Sequence, residues 1–226
     1  MITAQPSTLA KAASDLQSAA MGRVIIRKLG LAGYEPTWRA MQAFSQARTP
    51  ETRDEIWLME HPPVFTLGLA GRPEHVLKPG DIPVVKIDRG GQVTYHGPGQ
   101  LVCYLMLDLR RLGYGVKDLV RRMESSVIAL LATYGIEARR EPGMPGVYVH
   151  RGDGIAKISA VGLRVANHAT YHGLALNVDM DLEPFLRINP CGYAGLQSAQ
   201  MKDQGVSDSM ERIGDRLVSQ LVEHLF

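Results

Sequence analysis

The sequence predicts an α+β domain in which helices flank a mixed β-sheet. Short, strand-like apolar runs recur along the 226-residue chain. Two long segments place apolar residues at three-to-four spacing, which is typical of helices that bury one face. Because residues 24–226 contain no repeat and no linker-like tract, we predict one folded domain over residues 23–226. The Ala-, Ser- and Gln-rich segment 1–22 is predicted to be a poorly ordered extension.

The elements of the first half are short strands and one helix. The helix is expected over residues 36–48, because Pro36 suits a first turn and Trp38, Met41 and Phe44 recur on one side. Strands are expected over residues 24–26, 56–59, 64–67, 84–87, 93–95 and 101–109.

The second half contains the clearest helix, over residues 116–134. Its apolar residues recur every three or four positions, and Gly135 ends it. Ser207 is expected to be the N-cap of a final amphipathic helix, which begins at Met210 and continues to Leu225. Strands are expected over residues 136–138, 146–150, 155–165 and 169–178.

The composition argues against several classes of function. No apolar run approaches the roughly 20 residues that a membrane-spanning helix needs. The net charge of +2, from 25 basic and 23 acidic residues, is too small to indicate nucleic-acid binding, but it allows a basic face for an acidic protein partner. With two cysteines and no visible secretory signal, we expect a reduced, cytoplasmic setting.

A glycine-rich stretch, residues 89–100, is the most unusual part of the sequence. It reads RGGQVTYHGPGQ and precedes a very apolar strand. Such glycines let backbone N–H groups approach a ligand closely. Alternatively, they serve only the turns of a hairpin. The orders GxxxxGK[ST] and GxGxxG are absent, so neither phosphate-binding signature indicates a nucleotide.

Two histidines, His168 and His172, stand four residues apart. On a helix this spacing can hold a metal ion, but residues 169–178 are predicted to form a strand, where the two side chains are too far apart to share one ion unaided. Ala169 also replaces the glutamate of the HExxH motif. No metal site is predicted, and His172 is expected to pack or form hydrogen bonds at the edge of a site.

The two cysteines have different surroundings. Cys103 lies in the apolar run LVCYLMLDL, which predicts a small buried core residue. Cys191 lies between Pro190 and Gly192 in a turn-forming stretch, which favours an exposed thiol near free backbone N–H groups. A nucleophilic thiol needs activation, since its ordinary pKa of about 8.5 leaves only a small thiolate fraction at neutral pH.

Three residues are candidates to activate such a thiol: Lys157, His96 and His172. Lys157 stands among small and apolar residues in GIAKISA, where partial burial would lower its pKa and allow proton exchange. The alternative is a lysine that protects an edge strand from aggregation. The local sequence does not decide between these partners.

Four blocks in one order resemble the lipoyl/octanoyl-transferase family, whose members are octanoyl-(acyl carrier protein):protein N-octanoyltransferases of lipoate biosynthesis. The blocks are RGGQVTYHGPGQLV (89–102), KISAVGLRV (157–165), YHGLALNV (171–178) and FLRINPCGYAGL (185–196), and HPPVFTLG (61–68) agrees as well. The resemblance covers about residues 23–200. It implies a fold similar to the catalytic domain of biotin and lipoate protein ligases.

The resemblance implies a cysteine–lysine dyad. The nucleophile falls on Cys191 of NPCG and its partner on Lys157 of AKIS, with no metal, cofactor or ATP required. Backbone N–H groups near Gly192 or Gly162 would hold the oxyanion. Ala160-Val161 stands where the family pattern has Ser-Leu, so a backbone contact is expected at Ala160. The substrate-binding positions fall on Arg89, Gly90, Gly91, Gln92, Val93, Thr94, Tyr95, His96, Ala160, Val161, Gly162, His172, Gly173 and Leu174.

The implied reaction moves an octanoyl group from octanoyl-acyl carrier protein to a lysine of apo lipoyl domains, through a thioester on Cys191, as the first step of endogenous protein lipoylation. The donor acyl group is carried on the phosphopantetheine arm of the carrier protein. The implied acceptors are the E2 subunits of 2-oxoacid dehydrogenases and the glycine cleavage H protein, with no nucleic acid or membrane involved.

Several residues are candidates for contacts with these substrates. Val93, Leu101, Leu174 and Leu176 are candidates to line the acyl slot. Arg89, Arg72 and the Arg121-Arg122 pair are candidates to dock acidic proteins. Two other readings stay open: an ATP-dependent lipoate or biotin ligase, which needs no cysteine nucleophile, and a non-catalytic module that binds carrier protein or lipoylated domains.

Overall fold

The computed structural model describes residues 22, 24–190, 193 and 195–226. The extension predicted over residues 1–22 lies outside this described part except for its last residue. The strands are β1 (Val24–Leu31), β2 (Asp54–Glu60), β3 (Val64–Leu67), β4 (Val84–Lys86), β5 (Val93–His96), β6 (Gln100–Met106), β7 (Ala138–Glu141), β8 (Met144–Arg151), β9 (Gly154–Ala166), β10 (Ala169–Asn177) and β11 (Gln197–Ser198). The helices are α1 (Tyr34–Gln46), α2 (Leu109–Leu112), α3 (Val116–Ala132) and α4 (Met210–Leu225), with 3₁₀ turns at Pro73–His75, Glu183–Arg187 and Lys202–Gln204.

These strands form a main sheet and a smaller second sheet. The main sheet has the order β1-β2-β6-β10-β9-β8-β7, and β11 also pairs with β9. β1 is parallel to β2 and β11 is parallel to β9, whereas the other neighbours are antiparallel. The second sheet has the order β4-β3-β5. The mixed main sheet with flanking helices confirms the predicted α+β fold.

Strict alternation along β2 and β6 gives the main sheet two different faces. One face, which we call the helix face, belongs to an aliphatic cluster shared with α3 and α4; its residues on these strands are Ile56, Leu58, Leu101, Cys103 and Leu105. The other, which we call the cavity face, is richer in aromatic and methionine side chains; its residues are Trp57, Met59, Val102, Tyr104 and Met106.

Helices cover the two faces by burying one apolar side each. Met123 and Leu130 of α3 and Leu217 of α4 are fully buried against the helix face. Met41 of α1 is fully buried in the cluster of the cavity face. After α3 the chain turns at Gly135, whose φ of +71° suits glycine, as the sequence predicts.

Two predicted boundaries are wrong for local reasons. The strand expected over residues 101–109 ends at Met106, because the Asp108 carboxylate accepts the backbone N–H of Arg110 at 2.9 Å and starts α2. Ser209, rather than Ser207, caps α4 by accepting the backbone N–H of Arg212 at 3.2 Å. A hydroxyl at Ser209 directly precedes the first helical residue, which is the position that N-capping requires.

The hairpin alternative for the glycine-rich stretch is also wrong. β5 pairs antiparallel with β3 in the second sheet, whereas β6 pairs with β2 and β10 in the main sheet. Between β5 and β6 the chain therefore crosses from one sheet to the other. A Cβ at Gly99 would lie 1.8 Å from the carbonyl oxygen of Asp179, so a glycine is needed where this crossing passes the end of β10.

Candidate active site

A cavity opens on the cavity face, between the main sheet and the second sheet. Its walls are formed by parts of β5, β6, β9 and β10, by Tyr34 at the start of α1 and by Phe185 of the 3₁₀ turn Glu183–Arg187. Much of its surface is apolar, because Val93, Val102 and Ala175 line it. A long, narrow apolar ligand would gain free energy from such burial.

Most of the predicted substrate-binding positions lie on the wall of this cavity. They are Arg89, Gly91, Gln92, Val93, Thr94, His96, Ala160, Val161, Gly162, His172, Gly173 and Leu174. Gly90 and Tyr95 are not part of the wall. The N–H of Gly90 donates to the carbonyl of Leu163 at 2.9 Å, and Tyr95 packs against Phe65 and Phe185.

Two of the four acyl-slot candidates, Val93 and Leu174, are among the residues that line the cavity. Leu101 and Leu176 are not, and their side chains pack in the aliphatic cluster of the helix face, to which Leu174 also belongs. Since neighbouring strand residues alternate between faces, Val102 and Ala175 line the cavity instead.

Lys157 lies on β9, which is paired on both sides and is not an edge strand. The edge-lysine alternative is therefore wrong. Lys157 is 7% exposed; its Nζ donates to the carbonyl of Pro145 at 3.1 Å and lies 5.1 Å from the ring centroid of Tyr148. The lysine that lines the cavity is thus nearly buried and held by a carbonyl and an aromatic face.

Cys191 lies outside the described residues, as does Gly192. Residues on both sides of it are described, and Pro190 and Leu196 line the same cavity as Lys157. Farther along, β11 pairs Ser198 with Lys157, and the N–H of Ala199 donates to the carbonyl of Lys157 at 2.9 Å.

The other cysteine, Cys103, is fully buried on the helix face, as its apolar surroundings predict. Burial raises the pKa of its thiol far above the ordinary value. A thiol in this position stays protonated and has no access to a substrate in the cavity.

The two histidine candidates are held neutral by burial. Burial, together with the nearby His61, lowers the pKa of His96 to about 3. The His96 Nδ1–H donates to Gln100 Oε1 at 2.7 Å, while the Gln100 amide nitrogen donates to Asn177 at 2.9 Å. Burial also lowers the pKa of His172, although a hydrogen bond with Asp88 opposes this effect. Neither ring is a cation at neutral pH, so neither would stabilise a thiolate by its charge.

Asp88 organises a second group of polar side chains beside the cavity. Its carboxylate accepts hydrogen bonds from Trp38 Nε1 at 2.8 Å, Gln42 Nε2 at 3.2 Å, His172 Nε2 at 3.2 Å and the Tyr171 hydroxyl. Burial alone would raise the pKa of this carboxyl group, but the four donors together hold it well below the usual range. Asp88 was not singled out by the sequence, although it directly precedes the glycine-rich stretch.

His172 reaches Asp88 because the backbone of β10 is distorted there. In a regular strand, Tyr171 and His172 would point to opposite faces. The φ of His172 is +61°, and both side chains bond to Asp88. His168 is exposed in the turn before β10 and does not share this site.

Arg89 is buried, and its side chain forms hydrogen bonds inside the site. Its guanidinium donates to the carbonyl of Thr66 at 2.6 Å and to the Thr66 hydroxyl at 2.9 Å. A Cβ at Gly162 would lie 3.1 Å from Arg89 Cδ, so the glycine makes room for this side chain. With 7% exposure, Arg89 cannot dock a protein partner, and that prediction is wrong. Arg72 is exposed.

Tyr104 and His61 were missed by sequence reasoning. The His61 Nδ1 lies 2.6 Å from the carbonyl of Ala32, which can only accept, so Nδ1 carries the hydrogen and Nε2 accepts from the Tyr104 hydroxyl at 2.8 Å. Tyr104 lines the cavity. The available signal was the hydroxyl of Tyr104 within the apolar part of its strand, residues 101–106.

Within the described ranges, no group of three or more His, Cys, Asp or Glu side chains is arranged to hold a metal ion. In the same residues, no helix is both long enough and apolar enough to span a membrane.

Comparisons with known proteins agree with this fold. Residues 34–222 match the family described as lipoyl protein ligase A/B catalytic domain. The octanoyltransferase of Laribacter hongkongensis is 61% identical over 200 residues, which covers 88% of this chain and 95% of that protein. The octanoyltransferase of Chromobacterium violaceum is 60% identical over 201 residues, with 89% and 95% covered.

Two solved structures share the fold at low sequence identity. A putative lipoate protein ligase from Thermoplasma acidophilum has a TM-score of 0.71 at 18% identity, covering 90% of this chain and 85% of that one. A lipoate-protein ligase A bound with ATP has a TM-score of 0.68 at 17% identity, with 90% and 85% covered. Taken with the high identity to octanoyltransferases, the family match shows that this chain belongs to the lipoyl protein ligase A/B catalytic-domain family, as one of its octanoyltransferases.

Proposed function

We propose that the protein transfers an octanoyl group from octanoyl-acyl carrier protein to a lysine of apo lipoyl domains, through a thioester on Cys191, and that residues 23–226 form the catalytic domain. The observation that carries this proposal is the position of the residues around Cys191. Pro190 and Leu196 line the cavity that Lys157 also lines, and β11 pairs Ser198 with Lys157. A dyad of Cys191 and Lys157 fits this arrangement.

Lys157 is the partner that the electrostatics of the cavity favour. His96 and His172 are buried with lowered pKa values, so their neutral rings offer no charge to a thiolate. A lysine ammonium would stabilise the Cys191 thiolate and raise its fraction at neutral pH. Each unit by which the thiol pKa falls corresponds to about 1.4 kcal/mol of stabilisation of the thiolate relative to the thiol.

In the first half-reaction, the Cys191 thiolate attacks the carbonyl carbon of the donor thioester. The bond to the phosphopantetheine sulfur breaks, and the Lys157 ammonium gives its proton to that leaving thiolate. One thioester replaces another, so no ATP is consumed. Backbone N–H groups near Gly162 or Gly192 would hold the oxyanion.

In the second half-reaction, the amine of the acceptor lysine attacks the acyl-Cys191 thioester. The carbon–sulfur bond breaks, an amide forms, and the neutral Lys157 amine takes the proton that the attacking amine loses. The thiolate and the ammonium are thereby restored. An amide is more stable than a thioester, so this step is downhill.

The cavity suits an eight-carbon chain. Val93, Val102 and Ala175 supply apolar contacts, and each buried CH₂ group contributes about 0.8 kcal/mol. We propose that the donor arrives on the phosphopantetheine arm of acyl carrier protein, that E2 subunits of 2-oxoacid dehydrogenases and the glycine cleavage H protein are acceptors, and that the reaction occurs in the cytoplasm without a resident cofactor.

The test is to incubate the protein with octanoyl-acyl carrier protein, without ATP, and to measure its intact mass. A single octanoyl adduct should form on the wild-type protein and should disappear when apo lipoyl domain is added. The adduct should be absent in Cys191→Ala. A protein that forms no adduct, but attaches free octanoate to lipoyl domain when ATP is supplied, would instead be a ligase.

A further inference from the structure

Glu124 is a carboxylate buried on α3. It is 6% exposed and faces β8, where the pairing of β8 with β9 shifts register between Val147 and Tyr148. Burying a carboxylate is unfavourable unless it is paired and hydrogen-bonded. The transfer chemistry proposed above does not use this group.

Both carboxylate oxygens of Glu124 are occupied. Arg140 Nε donates to Oε2 at 2.9 Å, and the backbone N–H of Gly146 donates to Oε1 at 2.8 Å in a buried hydrogen bond. Arg140 also donates to the carbonyl of Arg121 at 2.8 Å. The carboxylate therefore ties the Gly146 segment of β8 to α3.

The peptide group between Pro145 and Gly146 connects Glu124 to Lys157. Its N–H donates to Glu124, and its carbonyl accepts a hydrogen bond from Lys157 Nζ at 3.1 Å. The negative carboxylate thus lies at the positive end of this peptide dipole, and Lys157 lies at the negative end. Hydrogen bonds joined through one peptide group polarise each other and strengthen the carbonyl as an acceptor.

Gly146 allows this close approach. Its φ is +126°, a conformation that favours glycine, and a Cβ there would lie 3.2 Å from Lys157 Cε and 2.6 Å from the carbonyl oxygen of Ser159. The main chain at this point forms the wall against which the Lys157 side chain lies. A shift of the peptide would move the acceptor away from Nζ.

We propose that Glu124 is a positioning residue for Lys157, acting through the Pro145–Gly146 peptide group. The proposal rests on the function proposed above, in which Lys157 partners Cys191. Glu124 fixes the carbonyl that orients Nζ and favours the ammonium form, which in turn favours the Cys191 thiolate. The carboxylate itself touches neither substrate nor thiol.

The test measures the rate at which iodoacetamide alkylates Cys191, by intact mass, between pH 5 and 10. In Glu124→Ala the midpoint of the pH profile should rise by about one unit, and alkylation at pH 7 should slow about tenfold. Single-turnover acylation by octanoyl-acyl carrier protein should slow by a similar factor, with KM for the donor changed less than twofold.

Two variants separate positioning from general damage. Glu124→Gln keeps an oxygen that accepts from Gly146, so it should recover most of the wild-type profile. Asp54→Asn removes another buried carboxylate, which accepts from Arg111 and from the Asp108 N–H. Asp54 lies on β2, which three strands separate from β8, so this variant should leave the profile unchanged. If Glu124→Ala does not fold, Glu124→Asp, whose shorter carboxylate withdraws from Gly146, should show the same shift.

The outcomes distinguish this proposal from the proposed function. If Lys157→Met shifts the alkylation profile but the Glu124 variants do not, the positioning role is overturned and the dyad stands. If Lys157→Met also leaves the profile unchanged, the dyad itself is overturned, and the role of Glu124 with it.

Discussion

The helix face and the cavity face of the main sheet share the same strands but are stabilised differently. On β6, Leu105 is fully buried among aliphatic side chains of the helix face, whereas its neighbour Tyr104 donates a hydrogen bond to His61 on the cavity face. Aliphatic packing has no direction and depends on volume. Hydrogen bonds to buried rings depend on partners and on protonation. One face therefore sets stability, and the other sets chemistry and pH response.

The largest effect is expected for Lys157→Met, which should lose octanoyl transfer while keeping its fold. Methionine fills a similar volume but cannot carry a proton, so octanoyl transfer should fall by about 100-fold or more. The melting temperature should change by only a few degrees, because replacing a buried charge by an apolar side chain is often neutral. Transfer is measured by the mass of the acylated lipoyl domain, and melting by circular dichroism.

A matched control for this variant is Lys202→Met. Lys202 is an exposed lysine that pairs with Asp179 at 2.8 Å. Its replacement should leave the transfer rate unchanged, since exposed ion pairs contribute little. A loss of less than threefold in Lys157→Met would contradict the separation of the two faces.

The opposite behaviour is expected on the helix face, in Leu105→Ala. The cavity left by a fully buried leucine should lower the free energy of unfolding by about 2–5 kcal/mol. Transfer per folded molecule should stay within twofold of wild type, because the side chain points away from the cavity. Urea denaturation gives the stability, and initial rates at low temperature give the activity.

The neighbouring variant Tyr104→Phe is the comparison for Leu105→Ala. It removes one hydroxyl and leaves His61 Nε2 without this donor, so the expected loss of stability is about 1–3 kcal/mol. Its effect on transfer should exceed that of Leu105→Ala, since Tyr104 lines the cavity. Equal effects on activity would show that the two faces are not functionally distinct.

The apolar run 101–109 indicated a buried strand, and this was sufficient to place Cys103 in the core. Regular alternation along a strand would not have placed His172 beside Asp88, because it is the φ of +61° that turns this side chain there. Leu176 was misassigned for a different reason, since alternation alone does not say which face is the cavity.

Other parts of the site depend on contacts far apart in sequence. β11 has two residues and exists because Gln197 and Ser198 pair with β9, so no local pattern announces it. The bond from Gly146 to Glu124 joins residues 22 positions apart. Family resemblance supplied Lys157 and Cys191, but long-range contacts of this kind are accessible only from the structure.

We expect the loss of stability at low pH to come from buried histidines of the cavity face. Burial lowers the pKa of His61 to about 4 and that of His96 to about 3, against about 6.5 in the unfolded chain. Below pH 6.5 the unfolded state therefore binds protons that the folded state does not. Stability should fall as the pH drops from 6.5 toward 4, by up to about 1.4 kcal/mol per pH unit for each ring. The measurement is urea denaturation at pH 8, 7, 6 and 5.

The variant that tests this slope is His61→Asn, whose amide can still donate to Ala32. It should lose less stability between pH 7 and pH 5 than wild type, while the slopes of both proteins between pH 8 and pH 7 should agree, since both states then carry neutral rings. The loss of unfolding free energy in Leu105→Ala should be the same at pH 5 and pH 7, because the replaced side chain has no titratable group. If stability falls more steeply between pH 7 and pH 5 in His61→Asn than in wild type, the pH dependence does not come from His61.

The smallest effect is expected for Cys103→Ala, and it tests whether the two cysteines are as different as the two faces. Cys103 is fully buried on the helix face, and burial raises the pKa of its thiol, so it should neither be alkylated nor accept an octanoyl group. Removing one buried sulfur atom should cost about 1 kcal/mol of stability. Intact mass should still show one octanoyl adduct and one iodoacetamide adduct per molecule. If either adduct is absent in Cys103→Ala, the reactive thiol is Cys103 on the helix face.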